Sequence, residues 1–385
     1  MKIFKKLVLL FSLAICLIGC DNKENKEDKF VISGQVTGFP NGTKFYLRNL
    51  ATNSTFDSTI VKNNTFKFEG VLESPPEQIW LNTTVGEKFI YTNLLMGNDR
   101  ISVKGDISDF PWNVDIAGSK TQEDFNYARS ITKKYDIERD SLVQDFLKLS
   151  PEKRLIVRDS VWKKIGKIDS ILQVLRIDYI KSHPDTYTSI IELGYLKNEL
   201  PKDTIQKFFD SYNTEIKQSK YAIIVEIYLR ENIVKVGDKF YDFEGINQKE
   251  EQLLFSNIRG EYTLLDFTAA YCGPCIKAAD ELVEISKMYS DSLKIVSFSQ
   301  DPKKDVWLKS LERDKVTWNS IWDGKGRYSE ISIKYGVRGI PTFVLINPDG
   351  IIIDKWTGYN AGSIIKKLEK HKILGFRTGV ESDKN

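Results

Sequence analysis

The chain has 385 residues, with 56 Lys and Arg against 53 Asp and Glu, two His and four Cys. Its formal charge of +3 comes from Lys2, Lys5 and Lys6 in the first 19 residues, which hold no acid, so the remainder is neutral and composition makes no case for nucleic acid as a partner. The two histidines, His183 in the turn Ser182-His183-Pro184 and His371 in a basic terminal helix, read as surface residues, which speaks against a Cys/His zinc site or a Cys-His dyad.

Residues 1–19 combine that positive start with an apolar run from Leu7 to Leu17, a signal-peptide pattern too short to span a bilayer. In Leu17-Ile18-Gly19-Cys20 a leucine stands where an ordinary signal-peptidase site wants a small residue. The stretch resembles a bacterial lipoprotein signal, and the resemblance implies cleavage before Cys20 and lipidation of its thiol; the rival is a signal anchor with an incidental cysteine. No further apolar run of membrane length is present, so the mature chain is expected to be soluble and held to the lipid bilayer through Cys20. Residues 20–29 are almost wholly Asp, Asn, Glu and Lys and read as a tether.

From 30 to 118 short strands alternate with turn residues: Phe30 to Val36, Lys44 to Leu47, Thr65 to Phe68, Phe89 to Met96 and Ile101 to Val103, with Asn63-Asn64 as a hairpin turn. The spacing predicts a small antiparallel β-sandwich. It resembles, in pattern and position, the N-terminal domain of unknown function fused to thioredoxin-like lipoproteins of Bacteroidetes-type bacteria. Residues 119–232 read as a helical region. Ser150-Pro151 opens a helix in which Val157, Val161, Ile165, Ile168, Leu172, Leu175 and Tyr179 recur every three or four residues, and Pro184 and Pro201 punctuate further helices.

Residues 233–375 change to alternating strand and helix, before a tail at 376–385. Strands are predicted at Thr263 to Thr268, Leu293 to Phe298, Thr342 to Ile346 and Ile351 to Trp356, the last two joined by the turn Asn347-Pro348-Asp349-Gly350. Helices are predicted after Cys275, with Ala279, Leu282, Val283 and Tyr289 on one side, near Val306 to Leu311, and from Ala361 to His371. The fold class is therefore multidomain: sandwich, helical region, then an α/β unit.

With Cys16 leaving with the signal and Cys20 lipidated, Cys272 and Cys275 are the remaining thiols. A bridge across two residues staples nothing, so the pair reads as redox-active. The strand Leu265-Asp266-Phe267-Thr268 runs through a turn into Cys272-Gly273-Pro274-Cys275, which places Cys272 at a helix N-terminus where free N–H groups and the helix dipole favour a thiolate. Cys275, three residues on, is placed to attack a mixed disulfide formed at Cys272.

Together with Asp266 and with Tyr335-Gly336-Val337-Arg338-Gly339-Ile340-Pro341-Thr342, this motif resembles the thioredoxins, in particular the TlpA/ResA branch of secreted thioredoxin-like proteins. The resemblance implies a thioredoxin-like fold and a cis Pro341, with the backbone of Ile340 offered to a substrate peptide beside Tyr271. It also implies that Asp266 is a buried proton acceptor for Cys275; taken singly, Pro341 reads as a turn proline and Asp266 as an end-of-strand residue. The chain departs from the pattern at Tyr271 for a tryptophan, at Asp280 for a helix proline, at Ile295 for the lysine that faces the aspartate, and at Gly273 for the glutamate of some cytochrome-maturation members.

The activity so implied is a protein-disulfide oxidoreductase of the cell envelope that reduces or isomerises disulfides of envelope proteins. It needs no metal or organic cofactor and is recharged by a membrane thiol electron donor. Two rivals remain. One is a non-catalytic binding lipoprotein on a thioredoxin-like scaffold. The other is a thiol peroxidase, although Leu265 and Ala269 stand where that pattern wants proline and threonine.

Overall fold

The computed structural model describes residues 29–230 and 232–373. The expected signal segment, Cys20 and the tail lie outside them. No helix among the described residues is long and apolar enough to cross a membrane.

The N-terminal unit holds β1 (Phe30–Thr37), β2 (Lys44–Asn49), β3 (Thr55–Ile60), β4 (Thr65–Gly70), β5 (Glu77–Val85), β6 (Lys88–Met96), β7 (Arg100–Asp106) and β8 (Asp115–Ala117). They form two four-stranded sheets, ordered β4-β1-β7-β8 and β3-β2-β5-β6. Alternation decides which side chains meet between them: Ile32 and Val36 of β1 pack with Phe45 and Leu47 of β2 and Ile79 and Leu81 of β5. Gly34 lies in the same row because a Cβ there would come within 2.1 Å of the Phe66 ring.

Two features depart from the predicted antiparallel sandwich. The pairing of β1 with β7 is parallel, whereas the other strand pairs of this unit are antiparallel. Strands β2, β3, β5 and β6 of the second sheet lie between them in sequence, a crossover that returns the chain running the same way. Asn63 and Asn64 do form a tight turn, both at positive φ, closed by two hydrogen bonds between Lys62 and Thr65 of 2.9 and 3.0 Å. It leads from β3 in one sheet to β4 in the other, so the two strands do not pair as a hairpin.

Six helices come next: α1 (Lys120–Lys148), α2 (Pro151–Ser182), α3 (Tyr187–Leu196), α4 (Lys202–Ser211), α5 (Thr214–Lys217) and α6 (Lys220–Arg230). Ser119 caps α1 and Ser150 caps α2 through their side-chain oxygens. The apolar stripe of α2 is buried from Ile165 onward, at Ile168, Leu172 and Tyr179, while Val157 and Val161 stay half-buried. Helix α6 ties the molecule together. The hydroxyl of Tyr221 donates to the carbonyl of Pro76 at 3.0 Å, and at the other end Arg230 pairs with Glu330 at 3.4 Å.

The C-terminal unit runs β9 (Glu244–Asn247), β10 (Gln252–Leu254), α7 (Phe255–Ile258), β11 (Tyr262–Thr268), α8 (Gly273–Met288), β12 (Leu293–Ser299), α9 (Lys304–Arg313), β13 (Asn319–Trp322), α10 (Glu330–Lys334), β14 (Thr342–Ile346), β15 (Ile352–Thr357) and α11 (Ser363–Lys370). Its seven-stranded sheet is ordered β10-β9-β13-β12-β11-β14-β15, with β11, β12 and β13 parallel and β14 antiparallel to β11.

Side chains on β11 alternate between two cores. Leu265 and Phe267 pack with Phe243, Phe298 and Tyr335 on one face, and Leu264 packs with Ala278, Leu282 and Ile285 of α8 on the other. The buried stripe of α8 therefore comprises Ala278, Ala279, Leu282 and Ile285, while the predicted Val283 and Tyr289 are half-buried. Glu281 is buried as well, because its carboxylate accepts from the N–H groups of Gly362 at 2.9 Å and Ile365 at 2.8 Å and so caps α11 from a neighbouring helix.

Candidate functional site

Strand β11 ends at Thr268, and the turn Ala269-Ala270-Tyr271 delivers the chain to Cys272, the N-cap of α8. Cys272 and Cys275 form a disulfide. The backbone N–H of Cys275 points at Cys272 Sγ from 3.2 Å, so a free first-turn donor is aimed at the sulfur that would carry charge in the reduced form. Cys272 Sγ also lies 3.5 Å from the carbonyl oxygen of Ile340, and the Ile340–Pro341 bond is cis. The structure thus brings Cys272, Cys275, Ile340 and Pro341 together across about 70 residues of sequence. Both sulfur-bearing residues are buried, Cys272 at 7% and Cys275 at 5% exposure.

Asp266 sits two residues beyond Leu264 on the same face of β11, in the layer covered by α8. Burial pushes its carboxyl up to about 7, against the hydrogen bond from Ser297, which holds it down. The group facing Asp266 is Ser297, its register partner on β12, and not Ile295, which pairs with Leu264. The Ser297 hydroxyl donates to Asp266 at 3.2 Å and itself receives the indole N–H of Trp318 at 2.9 Å. A neutral donor chain therefore faces the aspartate where the thioredoxin pattern has a lysine.

A second buried acid, Asp301, was not legible as a site residue. It follows β12, the strand beside β11, at the edge where ligands gather in parallel sheets. Both its oxygens accept from the N–H of Ala270, at 3.1 and 3.0 Å, and the Ser299 hydroxyl donates to it at 2.9 Å. Arg313 Nη1 holds the Ala270 carbonyl at 2.8 Å from the other side. The turn that aims Cys272 is therefore gripped at both polar atoms of one residue. Burial raises the carboxyl of Asp301, and burial followed by the charge of Asp301 raises the phenol of Tyr271.

Asp301→Ala leaves the Ala270 N–H without its acceptor, and a loss of about 2–3 kcal/mol in urea unfolding is expected. Asp301→Asn, which keeps one acceptor oxygen, should lose less; equal stability of Asp301→Ala and the native protein would refute the grip.

Residues 260–352 match the family model described as thioredoxin-like. The C-terminal unit is a thioredoxin-like domain. Residues 30–125 match the domain of unknown function DUF4369, reaching from β1 into the start of α1. The chain is similar to a probable nucleoredoxin 2 of Oryza sativa subsp. japonica, 30% identical over 124 residues, covering 31% of this chain and 30% of that protein. It is 25% identical over 131 residues to thioredoxin-T of Drosophila melanogaster, covering 34% of this chain and 66% of the relative. The likeness thus spans less than two thirds of either relative.

Among solved structures, the thioredoxin domain of a thiol-disulfide oxidoreductase from Bacteroides vulgatus is 26% identical, covering 36% of this chain and 98% of that one at a TM-score of 0.33. A thiol-disulfide oxidoreductase from Bacteroides fragilis is 27% identical, covering 35% and 99% at 0.32.

The thioredoxin-like domain faces the rest of the molecule across a cleft of about 360 Å³. Tyr271 and Ile340 line it on the thioredoxin-like side, while Leu50 and Gln78 of the N-terminal unit and Tyr195 and Lys197 of the helical region line it opposite.

Proposed function

We propose that this chain is a thiol-disulfide oxidoreductase that reduces or isomerises disulfides of envelope proteins, anchored to the bilayer through a lipidated Cys20. The observation that carries it is the placement of Cys272 at the start of α8, its sulfur beside the Cys275 N–H and the Ile340 carbonyl.

The reaction begins from the reduced pair. The Cys272 thiolate attacks one sulfur of the substrate disulfide; a Cys272–substrate S–S bond forms, the substrate bond breaks, and the second substrate sulfur leaves as a thiolate that takes a proton from water. Cys275 then gives its proton to the Asp266 carboxylate and attacks Cys272 Sγ, which closes the Cys272–Cys275 disulfide and frees the first substrate sulfur. The protein ends oxidised by two electrons and the substrate reduced by two. A dithiol donor at the membrane restores the starting state by the reverse exchange. The N-terminal unit and the helical region act as docking modules, since they form the far wall of the cleft beside Tyr271 and Ile340.

Insulin reduction driven by dithiothreitol tests the activity: the native protein should accelerate precipitation of the B chain, and Cys272→Ser should remove the acceleration. A native protein no faster than dithiothreitol alone would reject an oxidoreductase in favour of a binding scaffold. Equilibration with glutathione buffers tests the direction. With Gly273 and Pro274 between the cysteines, no cation sits within the motif to over-stabilise the Cys272 thiolate, so a potential near about −270 mV is expected rather than about −120 mV.

A further inference from the structure

The cleft beside the disulfide is lined by three cations that come from two parts of the chain: Lys197 just after α3, Arg327 before α10, and Arg338 two residues before Ile340. None of the three forms an ion pair with a carboxylate among the described residues. The Lys197 ammonium donates to the carbonyl of Gly194 at 2.9 Å. Burial, and then the charges of Arg327 and Arg338, depress its pKa to about 8, so its electrostatic neighbours are cations. The guanidinium of Arg327 has the phenols of Tyr195, Tyr328 and Tyr271 around it. Glu199 also reaches the cleft, but it is exposed and accepts from Gln173 at 3.2 Å.

Gathering like charges, with Lys197 and Arg327 half-buried and Arg338 exposed, costs free energy that a bound anion offsets. These cations share their cleft with Tyr271, which precedes Cys272, and with Ile340, whose carbonyl lies 3.5 Å from Cys272 Sγ. A peptide paired with the backbone at Ile340 would present its neighbouring side chains to Arg338 and Arg327 on the same wall and to Lys197 across the cleft.

We propose that the cleft selects protein disulfides whose cysteine is flanked by Asp or Glu within about three residues, a reach set by the rise of an extended strand. The proposal rests on the oxidoreductase reading and names its substrate class. Arg338, Lys197 and Arg327 are specificity residues in it, and Cys272 and Cys275 carry out the chemistry unchanged.

Three disulfide-bonded peptides that differ only in the residues beside the cysteine (Glu, Gln or Lys) would be mixed with the pre-reduced full-length protein and single-turnover rates compared. The Glu peptide should react about tenfold faster than the Gln peptide, and the Lys peptide slower still, since charge-assisted contacts are gained or turned repulsive. The Glu-to-Gln ratio should fall toward one in the double variant Lys197→Gln, Arg338→Gln, and stay in Lys309→Gln, on the exposed face of α9. Should the double variant fail to fold, raising ionic strength with the native protein reads the same term, because the ratio should shrink with salt.

Equal rates for all three peptides overturn the cleft's selectivity and leave the oxidoreductase reading standing. No reaction with any of them overturns the oxidoreductase reading itself. Oxidised glutathione reduced as fast as the Glu peptide would reassign the cleft to small anionic disulfides and overturn the peptide class.

Discussion

Cys275→Ser is expected to turn the protein into a covalent trap: pre-reduced variant mixed with a disulfide substrate should accumulate one equivalent of mixed disulfide at Cys272 and then stop. The asymmetry comes from position on α8. Cys272 is the N-cap residue, and its sulfur receives the N–H of Cys275 and the positive end of the helix, both of which favour a thiolate and lower its pKa below the ordinary value of about 8.5. Cys275 lies inside the first turn, among the residues that face the sheet, and gains no comparable stabilisation. Cys272→Ser should therefore give neither turnover nor trap. Intact mass of the non-reduced mixture distinguishes the two variants, and alkylation rate against pH in each checks the cause. Should Cys272→Ser trap substrate and Cys275→Ser turn over, the roles of attacking and resolving cysteine are reversed.

The second large effect concerns Asp266, whose folded carboxyl titrates at about 7 against an ordinary value of 3.8. Because the folded state holds this proton more tightly than the unfolded one, its contribution favours folding most below pH 4. It is lost progressively between pH 4 and 7 and stays lost above. The gap of roughly three units corresponds to about 4 kcal/mol, and desolvation is its leading cause.

Asp266→Asn keeps an oxygen for the Ser297 hydroxyl and removes the charge. The variant should match the native protein near pH 4 and exceed it in stability above pH 7, by up to that amount. Denaturant midpoints across pH 4 to 9 give the difference curve, and a flat one would show that Asp266 is not desolvated. The same substitution should slow resolution of the mixed disulfide roughly a hundredfold at pH 8, the low end of what a positioned base supplies. It should also erase the rise in native resolution rate as pH passes about 7. Release of substrate thiol after rapid mixing measures it, while the first attack by Cys272 should hardly change.

The expected stability gain and activity loss from one substitution place Asp266 among residues retained at a cost to the fold. Asp266 and Asp301, both buried, differ in this respect. Asp301 accepts from the backbone of the turn as well as from Ser299, so it holds geometry; Asp266 has a single hydroxyl donor, Ser297, and so retains a pKa in the range where a proton can be exchanged at neutral pH.

Local chemistry was readable along the chain. The strand, tight turn and helix around Cys272-Gly273-Pro274-Cys275 follow from an apolar run, a turn and a proline at the first turn of a helix, all within about fifteen residues, and the charge of Asp266 was conspicuous inside that run. The serine cap at 150 and the paired asparagines at 63 and 64 were likewise short-range signals.

Tertiary structure decided which distant residues face one another. Register on β12 put Ser297 opposite Asp266, two places beyond Ile295, and no property of an isolated strand sets that register. The parallel pairing of β1 with β7 depended on where five intervening strands went, four of them into the other sheet. Asp301 and Arg313 acquired a purpose only when they met Ala270, and Lys197 and Arg338 shared a cleft only because α6 locks the helical region against both of its neighbours. Propensity and periodicity act over one or two turns of chain, whereas pairing across more than a hundred residues is selected by the packing of whole faces, which no local stretch of sequence contains.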